Sequence, residues 1–318
     1  MSRSIGLAKR LVRLAGPVLF LVILSRIDLG RTAEMLRTVR LQFLLAALAL
    51  YPCLILLKAW RWRMLLQQQG IAYGLLPAFA AYNSALAAGY VTPGRLGEFI
   101  KALYLTKDKG IALGQAFSSV LLDRLLDLYL LLATAVAGAA LFAVPQHFVG
   151  MSLAILMTAT LGPLLILIPG VRRPMVALIT KGASHLSDAS YKQTLAQGLG
   201  GFQHGMEELL NVKLMVPLIC TVLAYVVFYF QCYLIALALG LPLSYPYSAY
   251  SVSLASLLAL LPVSISGLGV RDAAFIALFR PIGLTAEVAI SYSLLILLVF
   301  NAFGGLIGAL AWFMKPLR

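Results

Sequence analysis

Pro93-Gly94-Arg95-Leu96-Gly97-Glu98 interrupts an apolar run that starts at residue 75, and Ser266-Gly267-Leu268-Gly269-Val270-Arg271-Asp272 ends another that starts at 248. Each stretch joins helix-breaking residues to an acid and a base. Hydrocarbon can neither solvate a charge nor satisfy the backbone groups freed by a broken helix. Such stretches persist in a membrane only inside protein or around a water-filled cavity. The two stretches therefore predict two re-entrant helical hairpins, at 75–106 and 248–280, and mark where function resides.

The remaining sequence supplies the surrounding spans. Of 318 residues, 62% are hydrophobic and 11% charged, where a soluble domain carries roughly 25% charged residues. Further apolar runs at 14–28, 41–57, 113–143, 148–170, 213–240 and 286–314 approach the ~20 residues a spanning helix needs, and no barrel-like alternation competes with them. The expected fold is all-α and polytopic: a single membrane domain of about six spanning helices plus the two hairpins. The longest polar stretch, 171–212, is too short for a domain with its own core and reads as a cytoplasmic linker.

The net charge of +14 gathers at the ends of the apolar runs, which points to anionic lipid and topology and away from nucleic acid. Arg3, Lys9, Arg10 and Arg13 precede the first run, while Arg172, Arg173, Lys181 and Lys192 follow the fifth. The linkers 144–147 and 241–247 hold no Lys or Arg. The positive-inside rule then places both termini in the cytoplasm. Arg31, Arg37 and Arg40 fall on the outer side, where their spacing suits a short interfacial helix. Blocks starting at 41, 75 and 113 are matched by blocks at 213, 248 and 286, with offsets of 172, 173 and 173. With 148–170 as a linking helix, 41–143 and 213–314 read as an inverted repeat, a design that places a transport site between broken helices near the midplane.

Several ionic side chains stand inside these runs. Arg95, Glu98 and Lys101 recur every three residues and share a face if the returning limb is helical. They either bind an anion at a helix start or neutralise one another. Asp123, Arg124 and Asp127 occupy little more than one turn of the 113–143 run and must face the bundle interior, as substrate contacts, a proton relay or a clamp on the hairpin. Ser264, Ser266, Arg271 and Asp272 flank the glycines of the second hairpin. Lys58, Arg61 and Arg63, interleaved with Trp60 and Trp62, read as the interfacial end of the second helix, as anchors or as head-group contacts. Asn83 and Asn301 suit interhelical hydrogen bonds, and Gly304, Gly305 and Gly308 suit close helix packing. Cys53, Cys220 and Cys232 read as buried small hydrophobes. His147, His185 and His204 are isolated, so no metal site is expected, and no ATP-binding loop or other cofactor motif is present.

Taken together, Arg61-Trp62-Arg63, Pro93-Gly94-Arg95-Leu96-Gly97-Glu98, Asp123-Arg124-Leu125-Leu126-Asp127 and Gly267-Leu268-Gly269-Val270-Arg271-Asp272 resemble the membrane region of lysylphosphatidylglycerol synthases and their stand-alone, flippase-like relatives. The resemblance covers nearly the whole chain. It implies a lipid translocase of the bacterial or archaeal inner membrane, with the family's charged motifs falling on Arg95, Glu98, Asp123, Arg124, Arg271 and Asp272. The large aminoacyl-transferase domain of full synthases is absent from these 318 residues, so synthase activity is not expected and a separate lipid-modifying enzyme becomes an expected partner. The leading expectation is flipping of a lipid, or a lipid-linked intermediate, with a phosphate-bearing polar head group. The rivals are an intramembrane transferase using Glu98 or Asp123 as base, and a proton-coupled transporter of a soluble metabolite.

Overall fold

The computed structural model describes residues 19–92, 94–142, 150, 154, 157, 189–210, 212–261, 264 and 266–314, and every regular element among them is helical. In chain order these are α1 (Leu29–Arg37), α2 (Leu41–Gln68), α3 (Leu75–Tyr90), a 3-10 turn (Leu96–Phe99) leading into α4 (Ile100–Lys109), α5 (Leu113–Phe142) and α6 (Ala189–Leu209). There follow α7 (Met215–Ala238), α8 (Tyr245–Ala259), α9 (Val270–Phe279), α10 (Ala286–Ile296), a π segment (Leu297–Phe303) and α11 (Gly304–Met314). Four helices among the described residues are long and apolar enough to cross a bilayer: α2, α5, α7 and the continuous Ala286–Phe313. The apolar run at 14–28 is described from residue 19 on, whereas the run at 148–170 lies largely, and the linker 144–147 wholly, outside the described residues.

The helices sort into a bundle with two distinct ends. α2 and α7 pack along their lengths and run antiparallel. The Arg40 amide donates to the Ala238 carbonyl at 2.8 Å, Gln231 Nε2 to Ala47 O at 2.8 Å, and Gln68 Nε2 to Lys213 O at 2.9 Å. At the end where α2 begins, the Asp28 amide meets Glu287 Oε1 at 3.4 Å and α1 packs on α10. At the other end, Gln69 Nε2 donates to Ser118 Oγ at 2.8 Å and to Gly205 O at 3.1 Å, joining α2 to α5 and α6. The 189–209 part of the polar linker is thus a helix docked on the bundle through buried Phe202, Met206 and Leu209.

The joints of the two halves correspond. α2 and α7 both end in a glycine at positive φ, Gly70 (69°) and Gly240 (67°), whose following amide, on Ile71 or Leu241, returns to the Leu66 or Ala236 carbonyl at 2.9 Å. α4 and α9 both have 10 residues, and they lead to Gly110 (67°) and Gly283 (79°). Glycine is needed there because an L side chain in the left-handed region collides with its own carbonyl. Close helix contacts correspond too: a Cβ on Gly138 of α5 would stand 2.4 Å from the Tyr250 ring of α8, and one on Gly308 of α11 would stand 2.4 Å from the Asn83 carbonyl of α3. This bears out the packing role expected of Gly308. Cys220 and Cys232 are buried, but Cys53 is exposed.

Candidate functional site

The site grows from two interrupted helices. After α3, Gly94 (φ 61°) and Arg95 (φ 56°) reverse the chain, and the Gly97 amide is held by Thr92 Oγ1 at 2.7 Å. A Cβ on Gly97 would lie 2.3 Å from the Ala88 backbone, so only glycine lets the return limb pack this closely. After α8 the same reversal occurs at Ser266 (φ 57°) and Gly267 (φ 76°). Ser266 Oγ donates to the Tyr90 carbonyl at 2.9 Å and receives Asn301 Nδ2 at 2.5 Å, tying both turns to the π segment. A π segment adds an unpaired residue to a helix and often marks a functional site. Asn301 makes the interhelical bond expected of it.

Behind the first turn lies a buried ion network on three helices. Arg61 Nε donates to Asp123 Oδ1 at 2.8 Å, its Nη1 donates to Asp127 Oδ1 at 2.6 Å, and its Nη2 reaches the Asp123 carbonyl at 3.2 Å. Lys101 Nζ donates to Asp123 Oδ2 at 2.6 Å and lies 4.0 Å from the centre of the Tyr82 ring. Lys58 Nζ donates to Asp127 Oδ2 at 2.9 Å. Buried ions need such mutual satisfaction, because each would otherwise lose its hydration without replacement.

Two expectations change here. Arg61 is fully buried and holds both aspartates, so it is not an interfacial head-group contact. α2 runs on for seven residues beyond it, to Gln68, which sets Arg61 ~10 Å inside the helix end. Arg63 instead donates Nε to the Tyr73 carbonyl at 3.1 Å, fastening the loop before α3. The second change concerns Glu98, whose close partner is Arg124 at 2.5 Å; Arg95 stands 4.0 Å away. Lys101 turns away from both, toward Asp123, so the three-residue spacing does not make one ionic row.

In the second half, Asp272 accepts the Gly269 amide at 2.7 Å and caps α9, and Ser293 Oγ donates to its other oxygen. Arg271 Nε donates to Ser293 Oγ at 2.9 Å. Arg271 and Asp272 are 4.0 Å apart and joined through that serine. Ser264 is fully buried, and its hydroxyl has no hydrogen-bond partner among the described residues.

Between the turns lies a hollow of ≈ 960 Å³, its open mouth included. Its polar wall is Lys58, Arg95, Glu98, Arg124, Asp127 and Arg271, with Ser266 and Asn301. Leu54, Leu86, Leu131, Ile296 and Phe300 supply its apolar lining, Leu54 and Leu131 each one helical turn from Lys58 and Asp127 on the same helices. Lys101, Asp123, Asp272 and Ser264 are not on this surface; Lys101 and Asp123 pair behind it with Arg61, which reaches the lining Asp127, and Asp272 caps α9. Three atoms of lining residues are buried without a hydrogen-bond partner among the described residues, Tyr51 Oη, Glu98 Oε1 and Arg271 Nη2. Sequence reasoning set Lys58 at the interfacial helix end, where the structure puts it on the cavity lining, and missed Tyr51, Tyr82, Tyr90 and Tyr225 around it. The signal for Lys58 was its three-residue spacing from Arg61, which places both on one helical face.

Comparison with known proteins agrees with this architecture. A UPF0104 membrane protein of Methanocaldococcus jannaschii, MJ1595, is 24% identical over 306 residues, covering 92% of this chain and 90% of its own length. The family described as the lysylphosphatidylglycerol synthase TM region matches residues 9–308. Both buried ionic turns and the cavity between them lie inside that match, and the chain belongs to the lysylphosphatidylglycerol synthase TM region family.

Proposed function

We propose that this protein translocates a lipid, or a lipid-linked intermediate, with a phosphate-bearing head group across the cytoplasmic membrane, without aminoacyl-transferase activity of its own. The observation that carries this reading is the mixed lining of the cavity: four cations and two carboxylates share it with a set of apolar side chains. A soluble metabolite needs no apolar lining, whereas a lipid presents a charged head and an apolar tail together. Both cavity carboxylates are held by cations, Glu98 by Arg124 and Asp127 by Arg61 and Lys58. That suits holding charge better than the proton abstraction a transferase base performs.

In this proposal 41–143 and 213–314 are inverted repeats, linked by 148–170 and the cytoplasmic segment 171–212. Six helices span, and α3–α4 and α8–α9 are re-entrant hairpins entering from opposite sides. The antiparallel α2 and α7 and the matched glycine joints support it. The bundle end holding Gln68, Lys109 and Lys213 faces the cytoplasm, as do both termini, under the positive-inside rule.

The test is a dye-quenching flip assay in liposomes, preceded by mass spectrometry of lipids retained through purification. A retained phospholipid that is then translocated faster than in empty vesicles is the expected result. Retention with covalent change of the lipid would favour the transferase, and uptake of a soluble solute without any lipid movement would favour the metabolite carrier.

A further inference from the structure

The charges on the cavity wall do not balance. Lys58, Arg95, Arg124 and Arg271 face Glu98 and Asp127, an excess of two positive charges (4 − 2). The ions behind the wall, two cations and two carboxylates, cancel in number: Arg61 and Lys101 are paired with Asp123, and Asp272 stands 4.0 Å from Arg271. Hydrocarbon surroundings make an uncompensated pair of cations costly, so the excess marks a place prepared for an anion. Arg95 and Arg271 come from the two separate turns and line the same cavity. Arg271 keeps Nη2 unbonded although its side chain is 7% exposed.

We infer that the cavity binds a phosphomonoester head group, a terminal phosphate carrying about two negative charges, with Arg271, Arg95 and Arg124 around its oxygens. A monoester carries ≈ −1.5 to −2 at neutral pH and presents three acceptor oxygens, which matches the excess. A phosphodiester brings one negative charge, an ethanolamine head group none, and a lysyl ester of a phosphatidylglycerol a net positive charge. Guanidinium suits this task because its planar donors meet two oxygens at once. The inference rests on the translocation reading for the lipid source of the phosphate; the charge match stands apart from transport.

The test is native mass spectrometry of the purified full chain in detergent, titrated with phosphatidic acid, phosphatidylglycerol, phosphatidylethanolamine and lysyl-phosphatidylglycerol of identical acyl chains. Phosphatidic acid should bind about tenfold more tightly than phosphatidylglycerol, the difference one additional charge-assisted contact makes, and the other two should not displace it. Arg95→Gln, at a partly exposed side chain, should shrink that preference to within about threefold while the protein stays folded. Arg271→Lys, which keeps the charge and loses the fork, should lower phosphatidic acid binding selectively. Equal binding of the monoester and diester lipids, or tighter binding of phosphatidylethanolamine, would overturn the assignment. Displacement of phosphatidic acid by inorganic phosphate at equal concentration would overturn the lipid source. In the flip assay, faster movement of phosphatidylethanolamine than of phosphatidic acid would leave translocation standing and remove the charge assignment. Selective binding of phosphatidic acid with no lipid moved would do the reverse.

Discussion

On the proposed reading, Arg61 holds the site together and Arg95 meets the ligand. Arg61 is buried against two carboxylates, and Arg61→Met would remove the guanidinium that bridges Asp123 and Asp127, leaving each with a single lysine. Removing one partner of a buried ion pair costs about 3–5 kcal/mol, so this variant should melt well below the parent in detergent, whatever its transport. Arg95 is 34% exposed and sits at φ 56°. A glycine relieves left-handed strain of about 1–2 kcal/mol, so Arg95→Gly should match or exceed the parent's thermal stability while transport is lost. Arg95→Lys should restore little, because a point charge cannot grip two oxygens. Parallel loss of melting temperature and flipping in Arg95→Gly would reduce Arg95 to a clamp. The sequence showed each of these ions. Their pairing was hidden, because Glu98 chooses Arg124, 26 residues away, over Arg95, three residues away.

The hairpins depend on backbone closeness more than on charge. Gly97→Ala would press a methyl group into the Ala88 carbonyl, 2.3 Å from the ideal Cβ position. The return limb must shift, at a cost of about 1–3 kcal/mol or more, and thermal melts should register it alongside lost transport. α2 and α7 are antiparallel partners, so the Ala47→Cys, Gln231→Cys double variant in a background lacking native cysteines should cross-link under mild oxidation. Efficient cross-linking of Ala47→Cys with Thr221→Cys instead would contradict the observed register, in which Thr221 meets Arg61 at 3.2 Å. Helix type and approximate bounds were legible from apolar run length and from glycine and proline. The docking of α6 was not foreseen, since Phe202, Met206 and Leu209 lie in a stretch polar enough to resemble a solvated linker.

At the scale of the molecule, the opposed ends of the bundle carry the transport proposal. With native cysteines replaced, Pro242→Cys should react with an impermeant maleimide from outside intact cells, and Lys109→Cys only after permeabilisation. Pro242 and Lys109 are both exposed, and labelling of both from the same side would overturn the opposed hairpins. By itself the sequence determined that the chain is helical and membrane-embedded, where its helices break, and which ions must hide from lipid. These follow from composition and local chain order, because a bilayer penalises every charge and every open backbone group whatever the partner. Only the tertiary structure decided which ions meet. Arg61 joins Asp123 and Asp127 across 62 and 66 residues, and the turns around Arg95 and Arg271 come to face one cavity from different halves of the chain. The physical reason is that the ends of long side chains find their partners by helix packing, which a linear spacing rule reads only within one helix.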